Sequence, residues 1–266
     1  GIPSWVKLIA QVGAAIIVAV CGIRIENINL PFIDNKIFFY EWFSYIITVG
    51  WIVGITNAIN LIDGLDGLSS GITLISCVSL LIIFLLTPSS PLISILLITA
   101  LAGSIVGFLP FNFSPAKTFI GDVGSNFLGF SLAVISILGV AKTYTALVLI
   151  APIIVLGLPI FDTIFAIIRR IIKGKSIKAV FKADKGHLHH RLMKRGYTQK
   201  QAVLILYGLT ATLGMFAIIL LESGIWKALS FALLVIAIIA IGYKDIFRVK
   251  QDDIETIDET HIRTDK

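Results

Sequence analysis

Amide and carboxylate side chains recur every three residues in the segment 57–67, which reads NAINLIDGLDG. Asn57 and Asn60 share a helix face at i, i+3, and Asp63 and Asp66 follow among glycines. Asn57 is a candidate substrate-binding residue. A polar helix end with glycine turns is the simple alternative, and the spacing does not match an EF-hand. Polar side chains at this density beside an apolar helix are costly in a membrane and usually serve a site.

A second polar segment, FIGDVGSN at 119–126, lies where an apolar run begins. The free N–H groups at a helix N-terminus favour phosphate, and the carboxylate of Asp122 could hold Mg²⁺ between phosphates. Gly121 and Ser125 are therefore candidate substrate-binding residues. Gly-Asp-x-Gly-Ser alone also fits an ordinary helix cap. The functional interpretation is favoured because this segment is expected on the same side of the membrane as the first segment.

A third polar segment, DKGHLHHR at 184–191, contains three of the four histidines. A solvated basic loop and a zinc site are the alternatives, but no cysteine or spaced carboxylate completes a tetrahedral zinc set. His187, His189, His190 and Arg191 fit better as a cradle for phosphate or sugar-phosphate, because together they neutralise several negative charges.

One aspartate, Asp162, lies within a long apolar run after Pro159. Its neighbours at i±3 and i±4 carry no charge, and an intramembrane carboxylate usually has a function. We expect its partner to come from another helix.

The elements that must position these segments follow from composition. Hydrophobic residues make up 57% of the 266 residues, charged residues 14%, and the mean hydropathy is +0.96. Soluble domains carry about 25% charged residues. The sequence therefore predicts an all-α polytopic membrane protein with about eight transmembrane helices, each approaching the ~20 residues that cross a bilayer. The apolar runs are 5–22, 41–61, 67–87, 92–111, 124–141, 145–171, 203–221 and 225–243.

The basic residues predict the orientation of this bundle. If successive spans cross the membrane in alternating directions, 18 of the 22 lysines and arginines lie on one side and four on the other. Positive residues favour the cytoplasmic side, so all three polar segments are predicted to be cytoplasmic. The basic residues responsible for the net charge of +6 cluster between and beside the apolar runs. This distribution argues against nucleic acid as a partner. The four basic residues on the outer side are Arg24, Lys36, Lys142 and Lys227.

Smaller features complete the prediction. Residues 1–243 form the transmembrane bundle and 244–266 a charged cytoplasmic tail. Segment 23–40, with a turn signal at Asp34-Asn35, allows a small hairpin. Cys21 and Cys77 are expected to be buried and unpaired.

The three segments together resemble the polyprenyl-phosphate N-acetylhexosamine-1-phosphate transferases, and the resemblance extends from residue 1 to about 243. It rests on Asn-Ala-Ile-Asn-Leu-x-Asp-Gly-x-Asp-Gly-Leu, on Gly-Asp-x-Gly-Ser and on His-x-His-His in a basic loop. The segment Asp-Lys-x-His-Leu-His-His-Arg-Leu is most similar to the UDP-GlcNAc:undecaprenyl-phosphate transferases. The muramyl-pentapeptide transferases are less similar and differ in the histidine segment.

The resemblance implies a role for each matching residue. Asn60 and Asp122 match metal-contacting positions, Asp66 a position near the uracil, and Asp63 a required carboxylate. Lys7 matches a lysine that meets the pyrophosphate. The basic-loop residues that match those engaging sugar and phosphate are His187, His189, His190 and Arg191.

The implied activity is transfer of GlcNAc-1-phosphate from UDP-GlcNAc to undecaprenyl phosphate, which releases UMP. This reaction starts cell-envelope glycan synthesis in the bacterial inner (plasma) membrane, with teichoic acid or O-antigen as examples. Mg²⁺, or Mn²⁺ in its place, is the implied cofactor. The partners are a UDP-sugar, a polyprenyl phosphate and membrane lipids, and a homodimer is left open. Whether the attack is direct or passes through an aspartyl intermediate is also left open.

The family carries a pair of adjacent aspartates shortly before the position of Lys7, and this chain lacks them. We therefore expect the chain to be an N-terminally truncated part that lacks two or three spans and does not turn over substrate alone. A related transferase for UDP-MurNAc-pentapeptide, or another UDP-sugar, is one alternative. A transporter is another, since carriers also have broken helices and intramembrane carboxylates, although no internal repeat is visible.

Overall fold

The computed structural model describes residues 3–28, 37–140, 146–174 and 186–236. The chain forms two compact units, Gly1–Glu222 and Ser223–Lys266. Regular structure in the described part is helical apart from one pair of two-residue strands. In chain order the elements are α1 (Ser4–Val20), β1 (Asn27–Ile28), β2 (Ile37–Phe38), α2 (Glu41–Ile62), α3 (Leu68–Leu86), α4 (Leu92–Asn112), α5 (Gly121–Val140), α6 (Ala146–Val155), α7 (Gly157–Gly174), α8 (Leu188–Lys194) and α9 (Gln199–Ser223).

The predicted all-α membrane fold is confirmed in its main features. Five described helices, α2, α3, α4, α5 and α9, are long and apolar enough to cross a membrane. Two shorter apolar helices span Trp5–Val20 and Ile225–Ile236. The helices also expose large apolar side chains, such as Phe127 at 60% and Leu233 at 67%, as expected for a surface that faces lipid. The chain is a multi-pass membrane protein, and the count of eight spans stays a prediction.

The prediction of one helix over 145–171 is wrong. The chain forms α6 and α7, with a turn at Leu156 between them. Pro159 has no N–H to donate to the carbonyl of Val155, and its ring crowds that carbonyl. The first helix therefore ends at Val155, although Leu156 still donates to Pro152 and Ile160 to Leu156.

The described residues just before α9, 186–198, include a helix that the sequence did not predict. Residues 188–194 form the short helix α8, and α9 begins at Gln199, four residues before the predicted start of its span. Thr198 and Gln201 form a reciprocal cap: Thr198 N donates to Gln201 Oε1 at 2.9 Å, and Gln201 N donates to Thr198 Oγ1 at 3.3 Å. Such a cap satisfies N–H groups of the first turn.

The hairpin predicted within 23–40 is confirmed as an antiparallel pair, with Asn27 opposite Phe38. Its turn signal, Asp34-Asn35, lies outside the described residues. Both cysteines are free, but Cys21 is exposed and only Cys77 is buried. The prediction of a buried Cys21 is wrong because α1 ends at Val20 and leaves Cys21 at its C-cap.

The core of the first unit lies between α2, α3 and α5, with α1, α4 and α7 packed around them. The backbones of α2 and α5 approach so closely that a Cβ on Gly129 would lie 2.8 Å from the Cα of Thr56. A small residue at such a crossing lets membrane helices pack tightly. This contact holds the first turn of α5 beside the last turn of α2, where the first two polar segments lie.

A second, smaller apolar cluster joins α2, α3, α7 and α9. Its buried members are Ile62, Leu68, Ile72, Leu158, Val203 and Leu206. Leu188 and Leu192 of α8 pack against it, and the Tyr207 hydroxyl donates to the carbonyl oxygen of Gly67. This cluster fixes the linker 63–67 and α8 relative to the helix bundle.

The described part of the second unit is the helix Ile225–Ile236 with its preceding residues. The rest of the predicted span 225–243 and the predicted tail 244–266 lie outside the described residues.

Candidate functional site

The first two polar segments meet at one carboxylate. Asp122, in the first turn of α5, is 65% exposed, and its Oδ2 lies 2.5 Å from Nζ of Lys7 on α1. Nδ2 of Asn60 donates to Asp122 Oδ1 at 3.3 Å and to Oγ of the buried Ser125 at 2.8 Å. Three helices therefore contribute to one exposed charged group, which we call the Asp122 cluster: Lys7, Asn60, Asp122 and Ser125.

An amide network supports the Asp122 cluster from the interior of the bundle. Gln11 Nε2 donates to Asn126 Oδ1 at 2.7 Å, and Asn57 Nδ2 donates to Gln11 Oε1 at 2.6 Å. Asn126 in turn donates to the backbone carbonyl of Asp122 at 2.6 Å. Asn57, predicted as a substrate-binding residue, thus bonds within the bundle and orients α1, α2 and α5.

The two aspartates of the linker between α2 and α3 have different partners. Asp63 Oδ1 accepts a hydrogen bond from Ser69 Oγ at 2.7 Å, and Asp66 Oδ2 accepts one from the backbone N–H of Ala116 at 3.2 Å. Burial raises the pKa of Asp63 and the nearby charge of Asp122 adds to the rise, although the Ser69 bond lowers it. A carboxyl group with a raised pKa gives up its proton less readily, which suits proton transfer at neutral pH.

These carboxylates line one cavity of about 480 Å³, here called the polar cavity. Asp63, Asp66, Gly121 and Asp122 come from the predicted site. The other residues that line the polar cavity are Gly64, Leu65, Asn112, Phe119, Ile120 and Gln199. A cavity of this volume with convergent polar groups at one end is typical of a small-molecule site.

The third polar segment contains a buried acid–imidazole pair. Nδ1 of His187 lies 2.8 Å from Oδ2 of Asp162, and Oδ1 of Asp162 accepts the backbone N–H of Leu188 at 2.9 Å. The expectation that another helix supplies the partner of Asp162 is confirmed, since α8 begins at Leu188. We call Asp162, His187 and His189 the histidine cluster.

His189 connects the histidine cluster to the polar cavity. Its ring lies parallel to that of His187, with centroids 6.0 Å apart. A Cβ on Gly64 would lie 2.3 Å from His189 Nε2, so the ring packs directly against the linker that carries the two aspartates. His189 is 2% exposed, and neither ring nitrogen has a hydrogen-bond partner among the described residues. Burial lowers the pKa of His189 to about 4, and the neighbouring His190 and His187 add to this.

The remaining members of the third segment lie on α8. His190 is half-buried, with its ring centroid 4.2 Å from that of His189, and the adjacent Arg191 is exposed. Asp184 and Lys185 lie outside the described residues. The structure therefore brings His187, His189 and His190 together, and the backbone N–H of Arg191 donates to the carbonyl oxygen of His187 at 3.1 Å.

Sequence reasoning missed three residues of this region: Gln11, Asn112 and Gln199. Gln11 lies in an apolar run, where a polar side chain is itself a signal of function. The buried side chain of Asn112 accepts a hydrogen bond from Ser70 Oγ at 2.5 Å. It donates one to the carbonyl oxygen of Thr118 at 2.9 Å. No local pattern marks Gln199, since only the folding of α9 against the linker brings it to the cavity.

The donor set of the Asp122 cluster fits a hard divalent cation. No group of three or more histidine, cysteine or acidic residues that could hold a metal occurs in the part of the chain described. Mg²⁺, however, is usually bound by one or two carboxylates and takes its other ligands from water and substrate phosphates. Asp122 supplies an exposed carboxylate for such a cation, whereas Asn60 turns its amide nitrogen toward Asp122 and Ser125 and would have to turn its amide oxygen to the same side to act as a ligand.

Comparison with known proteins decides the family. The model for glycosyl transferase family 4 matches residues 1–140, which covers more than half of the chain and includes the Asp122 cluster and both linker aspartates. The chain belongs to glycosyl transferase family 4.

Several proteins named as sugar-phosphate transferases are similar to the chain. A probable undecaprenyl-phosphate N-acetylglucosaminyl 1-phosphate transferase of Bacillus subtilis is 43% identical over 84% of this chain and 61% of its own length. A decaprenyl-phosphate N-acetylglucosaminephosphotransferase of Mycobacterium leprae is 33% identical over 78% of this chain and 56% of its own length. A phospho-N-acetylmuramoyl-pentapeptide-transferase of Limosilactobacillus reuteri is 38% identical, but over only 52% of this chain and 42% of its own length. This family 4 chain thus spans about three fifths of its first two relatives.

Proposed function

We propose that the protein containing this chain transfers GlcNAc-1-phosphate from UDP-GlcNAc to undecaprenyl phosphate. The acceptor phosphate attacks the β-phosphorus of the donor, the bond to the α-phosphate oxygen breaks, and UMP leaves. The products are lipid-linked GlcNAc pyrophosphate and UMP. A transporter is disfavoured by the family match, because the names of the similar proteins are those of sugar-phosphate transferases.

The observation that carries this proposal is the convergence of charge around the polar cavity. The ammonium of Lys7, the carboxylates of Asp63, Asp66 and Asp122 and the amide of Asn60 lie at one end of α1, α2 and α5. Phosphoryl transfer depends mainly on positioning and on charge stabilisation. These residues carry both signs of charge. The ammonium can contact the phosphates of a bound diphosphate, and the carboxylates can hold the cation that neutralises it.

We assign each residue a role in this reaction. Lys7 pairs with the phosphates in the bound state, Asp66 contacts the nucleotide end, and Asp63 holds a proton. His187, His189, His190 and Arg191 bind the sugar-phosphate side, with Gly121 and Ser125 fixing the first turn of α5. Asp122 and Asn60 would hold Mg²⁺, which when bound offsets the negative charge of the diphosphate.

We further propose that the polar cavity faces the cytoplasm, where UDP-sugars are made, in a bacterial plasma membrane. The excess of basic residues on one side of the predicted bundle supports this orientation. Single cysteines placed in the linker 63–67, in the segment before α5 and in the segment before α8 should resist an impermeant thiol reagent added to intact spheroplasts. Labelling of any of them from outside would overturn the orientation.

The decisive test of the reaction is UMP release by the purified full-length protein in detergent. We expect release to need undecaprenyl phosphate, Mg²⁺ and UDP-GlcNAc, and the lipid product to carry radiolabel from the sugar. UDP-MurNAc-pentapeptide is the competing donor, because one similar protein is named for that chemistry. Faster turnover with that donor would replace GlcNAc by MurNAc-pentapeptide in this proposal, and no release with either donor would remove the proposal.

A further inference from the structure

The carboxylate of Asp162 is fully engaged by the first residues of α8. Its Oδ2 lies 2.8 Å from Nδ1 of His187, its Oδ1 accepts the N–H of Leu188 at 2.9 Å, and the Asp162 and His187 side chains are each 6% exposed. The N–H groups of a first helical turn have no partner within their own helix. One carboxylate therefore caps α8 and contacts the imidazole that precedes it.

With Asp162 ionised, this contact sets which nitrogen of a neutral His187 carries the proton. An ionised carboxylate only accepts hydrogen bonds, so Nδ1 must be the donor in the contact with Asp162. The other nitrogen, Nε2, is then the one left to accept a proton or to contact a ligand. In imidazole sites the hydrogen bond at one nitrogen sets the chemistry of the other in this way.

We infer that Asp162 is a positioning residue for the transfer reaction, because it holds His187 in the Nδ1–H tautomer and so presents Nε2 to the substrate. This inference rests on the proposed function, which uses the histidine segment. The parallel ring of His189 and its packing against Gly64 connect His187 to the linker of the polar cavity. A purely structural cap for α8 is the rival explanation.

Asp162→Asn separates the two explanations. The amide has one oxygen acceptor and one NH₂ donor, and the backbone N–H of Leu188 can only donate. The amide oxygen must therefore face Leu188, which keeps the cap and turns the NH₂ toward His187. Nδ1 then becomes the acceptor and the proton moves to Nε2.

We expect Asp162→Asn to fold like the parent protein and to lose about 10²–10⁴-fold in kcat, the usual contribution of a positioned acid or base. KM for UDP-GlcNAc should change less than kcat, because the other residues that bind the donor are unaltered. Glu41→Gln is the matched acid-to-amide control, since Glu41 pairs with Arg24 near the other end of α2. The thermal midpoint in detergent, measured for each variant, reports on folding.

The second arm uses His187→Asn. Its amide nitrogen can take the place of Nδ1 and keep the bond to Asp162, but it offers no counterpart of Nε2. We expect this variant to fold and to be as impaired as Asp162→Asn. In the His187→Asn background, Asp162→Asn should cost little more, since both changes remove the same function.

The outcomes are distinguishable. Near-parental kcat in Asp162→Asn, or an equal loss from it in both backgrounds, would overturn the inference. If Asp162→Asn does not fold, near-parental activity of His187→Asn overturns it instead. The ¹⁵N chemical shifts of the histidine ring nitrogens report the tautomer without turnover. The signals that disappear in His187→Asn identify His187 among the four histidines of this sequence. Nδ1–H in the parent and Nε2–H in Asp162→Asn are expected even if no donor releases UMP, in which case the proposed function alone fails. An Nε2–H parent would overturn the tautomer assignment.

Discussion

The Asp122 cluster and the histidine cluster both pair a carboxylate with a nitrogen base, but they differ in exposure. Asp122 is 65% exposed and lies 2.5 Å from the ammonium of Lys7. Asp162 is 6% exposed and lies 2.8 Å from an imidazole nitrogen. Lysine is charged at neutral pH, whereas an imidazole can be neutral and change tautomer.

The difference teaches how the two clusters can act. An exposed ion pair contributes little to stability, because solvent screens it and competes for both partners. The Lys7–Asp122 pair is therefore free to exchange for bound phosphate and cation at little cost. The Asp162 contact lies out of solvent, where a lost hydrogen bond leaves a buried polar group unsatisfied. The Asp162–His187 contact therefore favours a fixed orientation of His187 and does not favour exchange with ligands.

The largest expected effect comes from the exposed cluster. Asp122→Asn should keep the protein folded and reduce UMP release by at least about 10³-fold, because it removes the carboxylate that would hold Mg²⁺, the cation that offsets the negative charge of the diphosphate. The rate is measured at several Mg²⁺ concentrations, with Glu41→Gln as the control. Near-normal turnover at ordinary Mg²⁺ would show that Asp122 is not the metal position, and the two clusters would lose their difference in role.

Gly64→Ala sharpens the comparison, because Gly64 lies between the clusters. The new Cβ would lie 2.3 Å from Nε2 of His189, so we expect a loss of about 1–3 kcal/mol from overpacking. Gly107→Ala is the control, since nothing lies within 4 Å of its Cβ. Thermal midpoints in detergent compare the two. An equal effect from both would mean that His189 does not pack against the linker.

The histidine cluster should make stability depend on pH. Since burial lowers the pKa of His189 to about 4 from 6.5, the unfolded chain binds a proton between these values while the folded chain does not. His189 therefore favours the folded state most above pH 6.5, and this contribution falls as the pH drops toward 4. His189→Phe should flatten the decline of the thermal midpoint across this window. Parallel curves for parent and variant would contradict a buried neutral imidazole.

The smallest effect is expected in the amide network behind the Asp122 cluster. Gln11→Leu removes its bonds to Asn126 and Asn57, each worth about 0.5–1.5 kcal/mol, but Asn126 keeps its bond to the carbonyl of Asp122. We expect a modest fall in the midpoint and a partial loss of kcat. Thr212→Val, which removes one bond within α9, is the control. A loss as large as that of Asp122→Asn would assign Gln11 a direct role.

The sequence by itself determined the fold class and the ends of most helices. The length of an apolar run predicts a helix that can cross a membrane, and this held for α2 to α5 within a few residues. Spacing of three residues placed Asn57 and Asn60 on one face, and the glycines after them marked where α2 ends. These signals are local, because hydrophobicity and backbone freedom act over one or two helical turns.

Only the tertiary structure decided which residues meet. Lys7 and Asp122 are 115 residues apart in the chain, and Asp162 and His187 are 25 apart, so no local spacing relates them. The division of 145–171 into α6 and α7 depended on how Pro159 was accommodated. The partner of Asp162 could be expected in kind but not named, since a buried carboxylate requires a donor and only the packing of α8 against α7 supplies one.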